Sequence, residues 1–243
     1  MNSQGTYNIQ VKDITDPLYV EAIKDYWTWL LENQQVLNNN VRLMNNNKIF
    51  YTHACYGYEF IYGVNGETSR KNLCGSAPQS NHVERFSNED KSDFEFVFIP
   101  VLDTMITKQG KGPSGQRLSI EEMNAILAFE NDAVTETDIA VTIKKKEQGG
   151  SWGPPLPIVS NLLYYRVSSP ADPDSTFPLY VPPDSALASK MEFPITADST
   201  LDTRAEGRYL LVEKPSEDGI YRIFADGKGQ RGFRSMIQID LEI

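Results

Sequence analysis

Histidine is nearly missing from this 243-residue chain, which holds only His53 and His82. A three-histidine metal centre is therefore excluded, and neither histidine lies in a nucleophile motif. Cysteine is as scarce. Cys55 and Cys74 lack the short paired spacings and the nearby histidines of a zinc site. Long apolar runs are also absent: the longest, Phe96-Val97-Phe98-Ile99-Pro100-Val101-Leu102, has the length of a buried strand. A membrane helix needs about 20 apolar residues, so no membrane span is expected. Met1 to Gln10 carry neither a basic nor an apolar leader pattern. The expectation is either a cytoplasmic protein or one whose targeting segment has been removed. Positive charge is short as well, with 23 Lys+Arg against 33 Asp+Glu and a net charge of −10. The one dense basic cluster, Lys144-Lys145-Lys146, is followed at once by Glu147. Phosphate backbones need a basic face, so nucleic acid is not an expected partner.

What is present is the composition of a folded domain: 40% apolar and 23% charged residues. One continuous domain is expected, with an N-terminal helix and β-rich region over 1–148 and an antiparallel β region over 149–243. Tyr7 to Val11 alternates as a strand. Asp16 and Pro17 form a helix start, and Val20, Ile23, Trp27, Leu30 and Leu31 follow at helical spacing, which predicts a long helix over Pro17–Gln35. Its aromatics, Tyr19, Tyr26, Trp27 and Trp29, read as a core stripe rather than a ligand box. Phe50 to Tyr62 reads as a strand. Its tyrosines Tyr51, Tyr56, Tyr58 and Tyr62 form a candidate binding surface, because tyrosine joins large contact area to a polar tip.

Phe94–Leu102, Thr137–Lys145 and Leu162–Val167 read as further strands. Ser119-Ile120-Glu121-Glu122 is a capping box ahead of a short helix that ends near Asn131. Pro170–Pro194, with six prolines, reads as a long surface excursion. The chain closes with three strands, Arg208–Val212, Gly219–Ala225 and Phe233–Ile243, read as an antiparallel meander. In the last, Ile237, Ile239, Leu241 and Ile243 share one face, while Gln238, Asp240 and Glu242 take the other. The fold class is therefore α+β, an antiparallel sheet with the N-terminal helix packed on it.

Motifs for chemistry fail one after another. Gly227-Lys228-Gly229-Gln230-Arg231-Gly232 matches the dinucleotide fingerprint, but a strand follows where a helix must cradle the pyrophosphate. Gly110 to Arg117 has phosphate-loop spacing with Gln116 in place of the lysine. No cofactor is expected. Asp172 with Asp174, and Asp198 with Asp202, are acidic pairs without calcium-loop spacing, and read as solvated turn residues. Two carboxylates converging from distant positions, as in a glycan hydrolase, are the enzymatic alternative left open.

Cys55 and Cys74 are separated by 18 residues that include an Asn65-Gly66 turn signal. They read either as a disulfide at the base of a hairpin, worth about 3 kcal/mol, or as two unrelated thiols.

Gly207-Arg208-Tyr209, Ile220-Tyr221-Arg222-Ile223, Gly227-Lys228-Gly229 and Arg234-Ser235-Met236-Ile237-Gln238 together resemble the C-terminal sheet of type IV minor pilins and pseudopilins. The resemblance covers roughly the last 35 residues. The family's long hydrophobic N-terminal helix and its peptidase site are absent, so Pro17–Gln35 would stand in for the lower part of that helix. The resemblance implies a non-enzymatic subunit of a surface filament or secretion system, located in the periplasm or at the cell surface and contacting other protein subunits. A virion or phage-tail structural protein is the alternative, and a carboxylate-dependent glycan hydrolase the second.

Overall fold

Asp16 opens the first helix. Its carboxylate accepts the Leu18 backbone N–H at 2.9 Å and pairs with Lys12 at 2.8 Å, so the cap and the following Pro17 act as their sequence implies. The computed structural model describes residues 9–32, 42–44, 49–52, 55–62, 67–72, 83–85, 94–109, 117–183, 198–229 and 234–243, with backbone alone at 31–32, 42–44, 55–62, 67–72, 83–85 and 234. In chain order these residues form α1 (Leu18–Glu32), β1 (Arg42–Met44), β2 (Ile49–Tyr51), β3 (Cys55–Tyr62), β4 (Glu67–Asn72), β5 (Val83–Arg85), β6 (Phe96–Thr107), α2 (Ile120–Asp132), β7 (Ile139–Lys146), β8 (Trp152–Leu156), β9 (Arg166–Ser169), β10 (Phe177–Val181), β11 (Ser199–Glu213), β12 (Ile220–Lys228) and β13 (Arg234–Glu242). Helix α1 is 15 residues long, and the expected continuation to Gln35 lies outside the described residues. The fold is mixed and mostly β.

The strands fall into two sheets. The first runs β1-β2-β6-β11-β10, with β9 also on β11. The second runs β4-β3-β13-β12-β7-β8, with β5 also on β13. Pairing is antiparallel except for β2 on β6 and β5 on β13. One hydrophobic cluster reaches from Ile9 to Ile243 and joins the sheets. It draws on both sides of position 148, and the β7–β8 pairing itself crosses that point.

The inward face of β12 shows how the sheets converge. Tyr221, Ile223, Ala225 and Gly227 are buried in turn, a steady loss of side-chain volume along the strand. At its narrow end a Cβ on Gly227 would lie 2.1 Å from the Val101 carbonyl oxygen. Only glycine lets the two sheets touch there.

Helix α1 covers the other face of the first sheet. Tyr19, Ile23, Tyr26, Trp29 and Leu30 have no exposed surface. Tyr26 packs on Phe98 at 5.3 Å between ring centroids, and Phe98 stacks on Tyr209 at 5.4 Å. The helical aromatics are a core stripe. Tyr19 also ties the helix to β11, accepting the Leu211 backbone N–H and donating to the Lys12 carbonyl, both at 3.1 Å.

Four expectations change. The C-terminal meander does not exist as one sheet: β11 pairs with β6, β9 and β10 in the first sheet, while β12 and β13 form a hairpin in the second. Strand β11 is buried on both faces from Gly207 to Val212 whereas β12 alternates, but neither pattern names the strand it pairs with. Leu162–Tyr165 is a 3-10 turn, capped by Asn161 accepting from the Leu163 N–H at 2.9 Å, and the strand begins only at Arg166. The proline-rich excursion contains β10, whose Phe177, Leu179 and Val181 are buried. Pro178 is tolerated there because β10 ends the sheet order, where a strand does not need every backbone N–H for pairing. Val11 makes a single bridge to Val212 instead of a full strand within the described residues. The capping box is as read: Glu122 N–H to Ser119 Oγ at 3.2 Å and Ser119 N–H to Glu122 Oε2 at 2.8 Å.

Candidate interaction surface

The helices leave the two sheets unequally covered. Helix α1 lies against β9, β10 and β11, and α2 lies against β6 and β11. All of these strands belong to the first sheet. Strand alternation therefore sets out a readable outer face on the second sheet. Lys144, Arg222 and Asp240 form one cross-strand row, and Thr142, Phe224 and Gln238 the next. All six except Asp240 are half-buried.

Arg222 organises this face. Its Nε and Nη2 donate to the two Asp240 oxygens at 2.6 and 2.7 Å, a planar two-point pairing. Asp240 is buried, and its hydrogen bond raises the Arg222 guanidinium above its ordinary pKa against the opposing effect of burial. The guanidinium lies 4.2 Å from the centroid of the Trp152 ring, and Lys146 Nζ lies 6.0 Å from the same ring. Trp152 pairs with Lys146 at the start of β8. Arg222 lies in cation–π contact with the ring and Lys146 at the outer limit of one, and Trp and Arg are the residue types that most often anchor recognition. Lys145 points the opposite way, across Tyr221 at 5.5 Å, and donates to Glu217 at 2.7 Å, which raises its pKa.

The expected tyrosine surface divides. Tyr51 ends β2 in the first sheet and is fully buried, 6.3 Å from both Tyr26 and Trp29. It presents no surface, because the α1 stripe covers it, and burial drives its hydroxyl far above the ordinary pKa. Tyr56, Tyr58 and Tyr62 belong to β3 in the second sheet, and their side chains lie outside the described residues. Cys55 starts β3; its pairing with Cys74, like His53, His82 and the Gly110–Gln116 loop, also lies outside them.

Among the described residues, acidic groups from α2 and β11 meet at Arg166. Arg166 binds both Asp132 and Glu206, and Ser168 Oγ donates to Glu206 at 3.0 Å. Beside them Arg208 is buried and donates to the Asn131 side chain at 3.1 Å and to its carbonyl at 3.2 Å. Burial, with Arg166 alongside, lowers the Arg208 pKa to about 10. This network joins α2 to the first sheet. Asp172 is occupied in its own turn by the Asp174 N–H and Ser175 Oγ, and Asp198 accepts from Tyr180 Oη. Among the described residues no three His, Cys, Asp or Glu side chains gather as metal ligands. A shallow cleft of about 640 Å³ beside Lys214, Asp218 and Glu242 holds no comparable constellation.

Trp152 was not legible as a site residue, because Gly149–Pro157 reads as a proline- and glycine-rich connection. The available signal was the alternation of Lys144 and Lys146 on a strand running into it, with Arg222 and Asp240 on the polar faces of the two following strands. No family model, curated protein or solved structure matches the chain.

Proposed function

We propose that this protein is a non-enzymatic assembly or surface-binding component that contacts other protein subunits through the outer face of its second sheet. The observation that carries this reading is the Trp152–Arg222–Asp240 stack, a rigid aromatic anchor on a face that neither helix packs against. Rigid anchors lose little side-chain entropy on binding. The finer form of the reading is a minor-pilin-like subunit outside the cytoplasm. It rests on the Ile220–Gln238 hairpin, since Gly207–Tyr209 pairs in the opposite sheet. A virion or phage-tail structural protein is the second reading, favoured by the two-sheet packing, an architecture shared with capsid domains.

Site-specific photocrosslinking in the native source tests the proposal. A benzoylphenylalanine at position 152 is expected to capture a discrete partner whose sequence, prepilin-like or capsid-like, selects between the two forms. Capture from Tyr180, exposed on the first sheet, with none from position 152 would overturn it.

A further inference from the structure

The second sheet ends in a strand that cannot extend it. Strand β8 reads Trp152-Gly153-Pro154-Pro155-Leu156, and its two prolines supply no backbone N–H. Strand addition at this edge is therefore disfavoured, which leaves the adjoining face for a partner. On that face Lys144 and Lys146 share one side of β7 by alternation, with Trp152 paired to Lys146. Among the described residues neither lysine forms an ion pair. Arg222 alone is neutralised, by Asp240. Acids outnumber bases in the whole chain by 33 to 23, yet Lys144 and Lys146 share this face, with Lys146 Nζ 6.0 Å from the Trp152 ring centroid.

We propose that this corner docks an extended acidic segment of a partner protein, with carboxylates at alternate positions reaching Lys144 and Lys146 and an apolar residue against Trp152. The spacing follows from strand geometry. Residues two apart on a strand lie about 6.6 Å apart, on the protein and on an extended partner alike. Charge complementarity selects the partner's sign, and the aromatic ring supplies the contact that salt does not screen. This inference rests on the binding reading above and names its partner chemistry.

The test uses the full chain and two fluorescein-labelled peptides, one alternating Glu with Val and one alternating Lys with Val. Anisotropy should show the Glu peptide binding and the Lys peptide not, with affinity falling as salt rises. K144E/K146E should weaken the Glu peptide about tenfold or more, and so should W152A. Trp27 and Trp29 are buried, so protection of tryptophan emission from iodide by the peptide reports Trp152. Circular dichroism identical to wild type confirms that the variants fold. Equal binding of both peptides, or full binding by folded K144E/K146E, overturns the proposal. Concentration-dependent self-association that K144E/K146E abolishes also overturns it, in favour of a second copy as occupant. If the peptide results hold while position 152 captures no partner in the native source, the assembly reading fails and the docking chemistry stands. If K144E/K146E loses the peptide but keeps the native partner, the reverse is true.

Discussion

Gly227 in β12 faces Val101 in β6 so closely that a Cβ would meet the Val101 carbonyl oxygen at 2.1 Å and the Leu102 Cβ at 2.8 Å. The contact fixes the distance between the sheets at one end. Gly227→Ala must push two backbones apart, and should destabilise the protein by about 3 kcal/mol. Gly149→Ala, which meets nothing within 4 Å, should change stability by less than about 0.5 kcal/mol. Urea unfolding compares the two. Equal midpoints would show that the sheets do not close at Gly227.

Arg208 contributes differently. It is buried, and its guanidinium satisfies both the side chain and the carbonyl of Asn131. Arg208→Met leaves the Asn131 side-chain oxygen without a donor, while its carbonyl keeps the Val134 N–H at 3.4 Å, and should cost about 2–3 kcal/mol. R208M/N131L removes that orphaned acceptor and should recover part of the loss. No recovery in the double variant would mean that the two residues act independently.

Acid should weaken the fold. Asp13, Asp16, Asp138 and Asp172 are all held below the ordinary value of 3.8, first by hydrogen bonds from Thr15, Lys12, Thr135 and Ser175 respectively. A carboxyl that is more acidic in the folded state stabilises that state above the unfolded pKa and loses its contribution as pH falls through the folded one. Asp25 opposes them, since burial raises its pKa and its ionised form costs the fold stability above 3.8. With Asp25 offsetting part of their effect, the urea midpoint should decline from about pH 5 to about pH 2.5. Asp25→Asn should raise the midpoint near neutrality. A midpoint that climbs on acidification would contradict the assignment.

The compartment is tested at Cys55 and Cys74. If the protein matures outside the cytoplasm, the two should be bonded. Intact mass of protein from its native source should then be unchanged by alkylation without reductant, and should gain two adducts after reduction. Two alkylatable thiols at the outset would favour the virion reading.

Much of the fold was legible locally. The Asp16 cap, the Ser119–Glu122 box and the alternation of Ile237, Ile239 and Leu241 each depend on residues within a few positions of one another. Sheet membership was not legible, because a strand's own residues do not name its partners: β11 pairs with β6 in the first sheet, and β12 with both β7 and β13 in the second. Tyr51 failed as a surface residue for a related reason: the helix that buries it lies more than twenty residues earlier. The Trp152 anchor depends on three strands meeting, β7, β8 and β12, and one of them looks like a loop in sequence.

The central claim is that this protein works by docking through its second sheet, and W152A/R222A tests it most directly. Fractionation of the native source by sedimentation should place the wild type with a large assembly. The double variant, folded by circular dichroism, should shift to the slowly sedimenting fraction. A variant that stays in the assembly, or a wild type that never enters one, would contradict the account.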